Sequence, residues 1–454
     1  MRFRFLHTAD WHLGQSFYGL SREREHRAFL DWLLDRLDDS AANALLVTGD
    51  VFDSANPSTS ALNLFYQFLA DARSRRPALQ ILITAGNHDS GSRLEAPAPL
   101  LRELGVHVVG GLSWRAAGDP DLNGILFPLQ DDHGQLAAVC AAVPYLRACD
   151  LAAVAGVTPA SAGNLAMADE TLPVRILYQQ VVRALRAAVL PTGAAPLLTG
   201  HCTVVGGELS TSSERRVLAG GLHGVPADLF PEDMAYVALG HLHRAQKVAG
   251  RDGCRYSGSP LPLAMDEVDY RHQVLAITLE KDSDAGCGQG DRGEGGRGQE
   301  WRRCVTVLPV PRAVPILRLP AAGPPQPVAA TLAAVHALAA TLEPVAAPPA
   351  VATPPDLWPY LDVAVALERP EPGLREKVLE ILKDRAVRLV RLVAVQGGDG
   401  AGLRPETLGE DLASLQPEEV FCQLHLRTHG APPSEELVAA FRELLAEVES
   451  ADVS

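Results

Sequence analysis

The sequence predicts an α/β fold in which a central sheet is covered by helices, and two observations support this prediction. From residue 3 to about 278, short apolar runs alternate with longer amphipathic stretches. Several apolar runs end in Gly or Asp, as in ALLVTGD and LQILITAGNHD, whereas SREREHRAFLDWLLDRL has helical periodicity. Strands that alternate with helices form a sheet whose ligands bind on loops at the carboxyl ends of the strands. We therefore expect the chemistry of this chain to reside on those loops.

Composition divides the chain into four parts, of which the first, 1–278, holds the alternating pattern. The segment 279–300 contains DSDAGCGQGDRGEGGRGQE, which is nearly free of large apolar residues, so the segment is predicted to be a linker or surface loop. The runs VTVLPV, VPILRLP, PVAATLAAVHALAATL, YLDVAVAL, GLREKVLEILKD and VRLVRLVAV predict a small α+β capping domain over 301–400, a candidate for DNA binding. The remaining residues, 401–454, contain helix candidates near 417–427 and at SEELVAAFRELLAEV. They predict a helical segment that binds a partner.

Composition also limits the class of protein. No run approaches the roughly 20 apolar residues that a membrane-spanning helix needs, and MRFRFLHTADWHLG does not resemble a secretory signal. The seven cysteines form no C-x-x-C pair, which argues against a disulfide framework and a zinc knuckle. A net charge of -15 disfavours binding of nucleic acid by bulk electrostatics, but it does not exclude a local phosphate site. We expect a cytoplasmic protein.

Five of the strand-like runs end in residues that can bind a metal ion, in the order D-x-H, G-D, G-N-H-D, G-H and G-H-x-H. The candidate ligands are Asp10, His12, Asp50, Asn87, His201, His241 and His243. Alternate residues of an extended segment point to one side, so both side chains of D-x-H or H-x-H can reach one ion. Each motif alone is also explained by a turn, a helix cap or a structural histidine. Their joint occurrence favours a metal site over coincidence.

The chemistry of these side chains indicates the kind of metal site. Nitrogen and oxygen ligands without thiolate favour Mn, Fe or Zn, and a shared carboxylate suits a pair of ions about 3.5 to 4 Å apart. Asp50 is the best candidate for the shared ligand. His88 is a candidate proton donor, and Asp89 is expected to orient its imidazole through the second nitrogen.

These motifs resemble the calcineurin-like metallophosphoesterase superfamily, and within it the SbcD family of nuclease subunits. The resemblance covers the chain from 6 to about 267, through HTADWHLG, VTGDVFDSANPS, TAGNHDS, TGHCTVVGGELS, ALGHLHRAQ and YSGSPLPLAMDE. The metal motifs alone are typical of the superfamily, whereas SANPS, TGHCTVVGG and SGSPLPLAMDE are more selective for the nuclease family. The resemblance implies a four-layer αββα core, with two packed sheets flanked by helices, followed by the capping domain and C-terminal helices.

The resemblance also implies a mechanism and partners. Two divalent ions, expected to be Mn2+, would generate hydroxide for in-line attack on a phosphodiester. One ion would be held by Asp10, His12, Asp50 and His243, and the other by Asp50, Asn87, His201 and His241. His88, with Asp89 behind it, would stabilise the transition state and protonate the leaving oxygen. The implied function is that of a double-strand exonuclease and a hairpin or single-strand endonuclease in DNA repair and recombination. The implied partner is an SbcC-type coiled-coil ATPase, and the implied assembly is a heterotetramer that contains a homodimer of this chain.

Several features keep more than one interpretation. Asp53 stands where archaeal and eukaryotic relatives carry His, and no catalytic role is assigned to it. His7 is expected to have a core or supporting role. The apolar residues of helices at 58–73 and 93–104 either pack on their own sheet or pair two protomers; these residues are Leu62, Leu64, Phe65, Phe68, Leu100 and Leu101.

The metal motifs also leave alternative functions open. Fold and metals do not fix the substrate, so a phosphatase or phosphodiesterase acting on a substrate other than DNA uses the same core. A metal-binding scaffold without hydrolysis is a third interpretation. The presence of His88 beside a full ligand series argues against the scaffold.

Overall fold

The computed structural model describes most of the chain. The described residues are 1–116, 119–154, 171–208, 224–281, 301–345, 354–367, 369, 371–396 and 437–438. Most of the Gly-rich segment and nearly all of both C-terminal helix candidates lie outside these residues. No helix in the described part combines the length and the apolar character that crossing a bilayer requires.

The first sheet contains the three apolar runs that precede the first metal motifs. In spatial order its strands are Trp301–Pro309, Gln273–Lys281, Arg2–Thr8, Ala44–Thr48, Gln80–Thr84 and Val106–Val109. The last four are parallel to one another, whereas the first two pair antiparallel. All five residues of ALLVT at 44–48 are buried, because a parallel strand covered on both faces needs a continuous apolar run. The carboxyl ends of these parallel strands meet at one edge.

The second sheet contains the runs that precede the remaining metal motifs. In spatial order its strands are Gln246–Lys247, Cys254–Tyr256, Tyr236–Gly240, Ala195–His201, Leu136–Ala141 and Leu126–Gln130. Its inner face packs on the first sheet, where Phe5 and Tyr236 make an edge-to-face ring contact with centroids 5.5 Å apart. The principal core therefore lies between the two sheets.

Helices cover the outer face of each sheet. Glu23–Asp39 and Thr59–Arg75 share one apolar core with the first sheet, and Leu172–Val189 packs on the second. This arrangement confirms the predicted α/β class and its four αββα layers. Shorter helices and 3-10 turns are Gly91–Glu95, Ala98–Glu103, Leu122–Ile125, Ala148–Val154, Ala227–Leu229, Val248–Gly250 and Met265–Glu267. Two small hairpins are Ser16–Phe17 with Leu20–Ser21 and Trp114–Ala116 with Asp119–Pro120.

The apolar residues considered for pairing of two protomers mostly pack inside the domain. Buried against the first sheet are Leu64, Phe65, Phe68 and Leu101. Leu62 is partly buried, and only Leu100 of the six is largely exposed, at 75%. The helix expected at 93–104 is two short helices, because a break falls at Pro97, which has no backbone N–H to continue the first.

A second compact unit comprises, among the described residues, 318–341, 362–383 and those from 391 onward, while 342–361 and 384–390 belong to the first unit. A third sheet has the order Ile316–Leu319, Tyr360–Leu367 and Gln326–Pro327, with Arg388–Gln396 also paired to Tyr360–Leu367. The helices Val328–Thr341 and Leu374–Leu382 pack on each other, and Pro355–Leu357 is a 3-10 turn. The α+β character predicted for this region agrees with these elements.

The predicted start of the capping domain at 301 differs from the structure. Trp301–Pro309 pairs along the whole of Gln273–Lys281, so it is the outer strand of the first sheet, and the first unit extends to Leu317. The strand alternates buried or half-buried residues with exposed ones, as an outer strand with one covered face does. The rest of the four-part division stays a prediction.

Three arginines that could otherwise offer positive charge to a phosphate already have protein partners. Arg22 is buried and bonds both carboxylate oxygens of Glu25 at 3.0 Å, so it does not lie on a solvated face. Arg24 pairs with Asp356, and Arg391 makes two 2.8 Å bonds to Asp362. These contacts favour structural roles.

Candidate metal centre

All seven predicted ligands lie at the carboxyl ends of strands from the two sheets. Backbone bonds join the loops: the Asp10 N–H donates to the Gly49 carbonyl at 3.0 Å, and the His12 N–H donates to the Asp50 carbonyl at 3.0 Å. The two sheets are joined where the His241 N–H donates to Asp10 Oδ1 at 2.9 Å. The strand ends predicted to form a site therefore do converge.

The backbone of these loops is strained where the ligands sit. Asp10, His12, Asp50 and His241 have φ values of 55°, 45°, 49° and 96°, a region that side chains other than Gly rarely adopt. Such conformations cost about 1–3 kcal/mol each and persist where the surrounding structure imposes them. Gly49 is required beside Asp50, because a Cβ at this residue would lie 2.1 Å from His201 Nδ1. The loops are built to hold side chains at fixed positions.

The candidate ligands form two groups of three. Asp10, His12 and His243, the Asp10 group, have ligand atoms within 4.8 Å of one another, and so do Asp50, His201 and His241, the His201 group. All six residues are buried.

Asn87 lies beside one of the two groups, whereas Asp50 lies between them. Asn87 Oδ1 lies 3.1 Å from His201 Nε2 and 2.9 Å from His241 Nδ1, so it belongs beside the His201 group. Asp50 Oδ2 lies 3.3 Å from His201 Nε2 and 3.7 Å from His12 Nε2. This oxygen is therefore within reach of both groups, as a bridging ligand must be.

The pKa shifts reflect the mutual proximity of these groups. Burial would raise the pKa of Asp50, but His201 and then His12 hold it well below its usual range. Burial would lower the pKa of His201, but Asp50 raises it to about 9. The pKa of His241 falls to about 3, because burial and then His201 disfavour its charged form. Burial raises the pKa of Asp10.

Two buried ligand atoms indicate whether the site suits a cation. Asp10 Oδ2 and His12 Nε2 are buried and have no hydrogen-bond partner among the described residues. Unsatisfied buried polar atoms are rare in folded proteins, and a divalent cation would satisfy both. The donor set of carboxylate, amide oxygen and imidazole suits such a cation. The residues fit divalent metal ions.

Adding Mn2+ to chelator-treated protein is expected to raise its unfolding temperature. A ligand that binds only the folded state adds about 2.7 kcal/mol per site at a concentration of 100 times its dissociation constant. Differential scanning calorimetry measures the shift, and excess chelator should reverse it. The metal assignment would be refuted if millimolar Mn2+ left the unfolding temperature of the wild type unchanged, as it would then do for the Asp10→Asn variant.

His88 lies beside the ligands. Its backbone N–H donates to Asp50 Oδ1 at 2.8 Å, and its ring contacts that of His12 with centroids 4.8 Å apart. His88 Nδ1 bonds the Asp53 carbonyl oxygen at 2.8 Å, which requires the proton on Nδ1. The side chain is half-buried, so part of it is accessible.

The expectation that Asp89 orients His88 is wrong. The Asp89 carboxylate instead accepts backbone N–H groups from Gly86 at 2.9 Å, Val51 at 3.1 Å and Phe52 at 2.9 Å. These bonds join the G-D and G-N-H-D loops, and burial and then Asp50 raise the pKa of Asp89 to about 6. The orienting oxygen is the Asp53 carbonyl, because the chain turns Asp89 away toward the donors of the neighbouring loop.

Two supporting carboxylates lie behind ligands. Asp53 Oδ1 lies 3.2 Å from His12 Nδ1, and Glu267 Oε1 lies 2.7 Å from His243 Nδ1. Sequence reasoning did not single out Glu267, although its segment SGSPLPLAMDE was selective for the nuclease family. His7 has the predicted core role. Its Nδ1 lies 3.1 Å from the Tyr236 hydroxyl, and its Nε2 lies 3.1 Å from the Thr48 hydroxyl.

Comparison with known proteins identifies the family. Residues 3–141 match the calcineurin-like phosphoesterase family, and 312–428 match a family described as the type 5 capsule protein repressor C-terminal domain. The chain is 40% identical to the SbcD subunit of nuclease SbcCD from Rhodobacter capsulatus over 426 residues, which cover 92% of this chain and 93% of that protein. It is 36% identical to the same-named protein of Escherichia coli K12 over 277 residues, 61% of this chain and 65% of that protein.

A third relative has the same name. The same-named protein of Bacillus subtilis is 36% identical over 289 residues, 62% of this chain and 68% of that protein. Since the first relative is matched along nearly its whole length, the chain belongs to the SbcD family of nuclease subunits, within the calcineurin-like phosphoesterases.

Proposed function

We propose that this chain is a metal-dependent DNA nuclease that works with an SbcC-type ATPase. The observation that carries the proposal is the pair of ligand groups that share access to Asp50, with His88 beside them. The relatives are named as parts of the nuclease SbcCD, which supports the choice of nucleic acid over other phosphoesters.

The metal ligands are proposed as the sequence predicted them. One divalent ion is held by the Asp10 group with Asp50, and the other by the His201 group with Asn87. We propose Mn2+ on the family resemblance, and the nitrogen and oxygen ligands without thiolate are compatible with it as they are with Fe or Zn. When bound, two such ions supply charge neutralisation of the phosphodiester and activation of water for in-line attack.

The protein's own part in the reaction centres on His88. The Asp53 carbonyl accepts the proton on Nδ1, so in the imidazolium form the second proton is on Nε2, and it is this proton that passes to the leaving sugar oxygen, leaving the neutral ring protonated on Nδ1. The bond from the His88 backbone N–H to Asp50 holds the ring next to the ligands. Burial of the ligands lowers the local dielectric constant and so strengthens each charge interaction among them.

The finer features of the function follow the family resemblance. We propose exonuclease activity on double-stranded ends and endonuclease activity on hairpins and single strands, in the cytoplasm, during DNA repair and recombination. The proposed assembly is a homodimer within a heterotetramer, with 401–454 binding the coiled coil of the ATPase and 301–400 a candidate DNA-binding region. Burial of Leu64, Phe65 and Phe68 leaves Leu100 as the exposed apolar candidate for the contact between protomers.

A nuclease assay on hairpin and blunt-ended DNA with Mn2+, with and without the ATPase partner, tests the function. We expect cleavage that depends on Mn2+ and rises when the partner and ATP are present. Hydrolysis of phosphate monoesters without DNA cleavage would instead support a phosphatase. Absence of any hydrolysis, with metal still bound, would support a scaffold.

A further inference from the structure

The two ligand groups differ in the protein groups that lie behind their imidazole rings, on the side away from the proposed metal. In the Asp10 group, His243 Nδ1 bonds Glu267 Oε1 at 2.7 Å, and His12 Nδ1 bonds Asp53 Oδ1 at 3.2 Å. Both partners are carboxylates. Each bond engages Nδ1, so a metal ion bound by either ring would be bound through Nε2.

The His201 group has a neutral oxygen behind His201, whose Nδ1 bonds the Thr48 backbone carbonyl at 2.9 Å. His241 Nδ1 lies 2.9 Å from the amide oxygen of Asn87, which is itself a proposed neutral ligand of this group. Asp89, the other nearby carboxylate, has its oxygens engaged by three backbone N–H groups. It also faces Asp50, which both groups share, so it does not distinguish them.

Glu267 is built rigidly into this position. Its side chain is fully buried, and Oε2 accepts the Leu263 N–H at 2.6 Å. The turn that contains it is fixed by His272, whose ring nitrogens lie 2.9 Å from the Ser259 carbonyl and 3.1 Å from the Glu267 carbonyl. A fully buried carboxylate is costly unless it is paired, and here its partner is a metal-ligand candidate.

A carboxylate behind a ligand imidazole fixes the ring's tautomer and direction and makes the ring a stronger electron donor. It also adds negative charge near the cation, in surroundings where burial strengthens the attraction. The Asp10 group has two such carboxylates in addition to Asp10, whereas the His201 group has the neutral amide of Asn87.

We propose that Glu267 and Asp53 are positioning residues that make the Asp10 group the tighter of the two metal positions, so that it fills first. The inference rests on the ligand set of the proposed function. It goes beyond that function because it assigns an order of loading and names the side chains that set it.

The test is a Mn2+ titration of the chelator-treated full chain, with free Mn2+ followed by electron paramagnetic resonance. The wild type is expected to show two unequal classes of site. His201→Ala should retain the tighter class. Adding Glu267→Gln to that variant should weaken the remaining class by about 10- to 100-fold, the usual effect of losing a partner behind a metal ligand.

Matched controls separate the charge from general damage. Glu280→Gln makes the same chemical change on the outer part of the first sheet, where Glu280 is 48% exposed and pairs with Arg2, and it should leave both classes unchanged. If Glu267→Gln unfolds the chain because Glu267 is buried, Asp53→Asn tests the same effect of a carboxylate on Mn2+ affinity at a side chain that is 40% exposed. It should weaken the same class.

The inference is overturned if His201→Ala leaves only the weaker class, or if neither substitution weakens the class that remains. Failure of the proposed function looks different. It would appear as two unequal classes of Mn2+ site in a protein that cleaves no DNA.

Discussion

Replacing His88 with alanine is expected to lower the rate of DNA cleavage by about 10²- to 10⁴-fold, the usual contribution of a positioned proton donor. Mn2+ affinity should change by less than about threefold, because His88 lies beside the ligands and belongs to neither ligand group of the proposed centre. Its ring is held by the Asp53 carbonyl, and its backbone N–H, which bonds Asp50, survives the substitution. Single-turnover cleavage and a Mn2+ titration measure the two effects separately.

His133→Ala is the matched control, since His133 is exposed on the turn that begins at Asp131. It should leave both cleavage and Mn2+ affinity unchanged. If His88→Ala cleaved DNA at the wild-type rate, His88 would not be the proton donor. If it lost a class of Mn2+ site, His88 would be a ligand instead.

Replacing Asp50 with asparagine is expected to weaken both classes of Mn2+ site, and cleavage should be lost with them. Asp50 Oδ2 lies near His12 of one group and His201 of the other, so one substitution acts on both metal positions. Removing one member of a buried charge pair costs about 3–5 kcal/mol, which corresponds to about 10²- to 10⁴-fold in affinity. The Mn2+ titration reports both classes at once.

Two comparisons make the Asp50 result specific. Asp71→Asn makes the same change on the exposed side of the helix Thr59–Arg75, where Asp71 accepts a bond from Gln67, and it should alter neither class. Asp10→Asn should weaken only the class formed by the Asp10 group. An Asp50→Asn protein that retained one class at full affinity would contradict a shared ligand.

The sequence alone indicated the candidate ligands because they follow a local rule. Asp10 and Asp50 lie two residues beyond the ends of their strands and His201 is the last residue of its strand, and the carboxyl ends of parallel strands meet at one edge of a sheet. The strands and helices of the core were predictable for the same reason, since continuous apolar runs and helical periodicity are local patterns.

The supporting residues were not predictable in this way. Glu267 reaches His243 across 24 positions in the sequence, and no periodicity relates the two. Asp89 follows His88 directly and so seemed to be its partner, but its carboxylate points to donors of a loop more than 30 residues earlier. Likewise, Trp301–Pro309 joins the first sheet although the Gly-rich segment before it suggested a boundary. These outcomes depend on tertiary contacts.

The central claim is that two metal ions share Asp50, and anomalous diffraction from crystals grown with Mn2+ tests it most directly. We expect two anomalous peaks that both contact Asp50, one beside Asp10, His12 and His243 and the other beside Asn87, His201 and His241. A single peak, or a peak held by Asp53 and His88 away from Asp50, would contradict it.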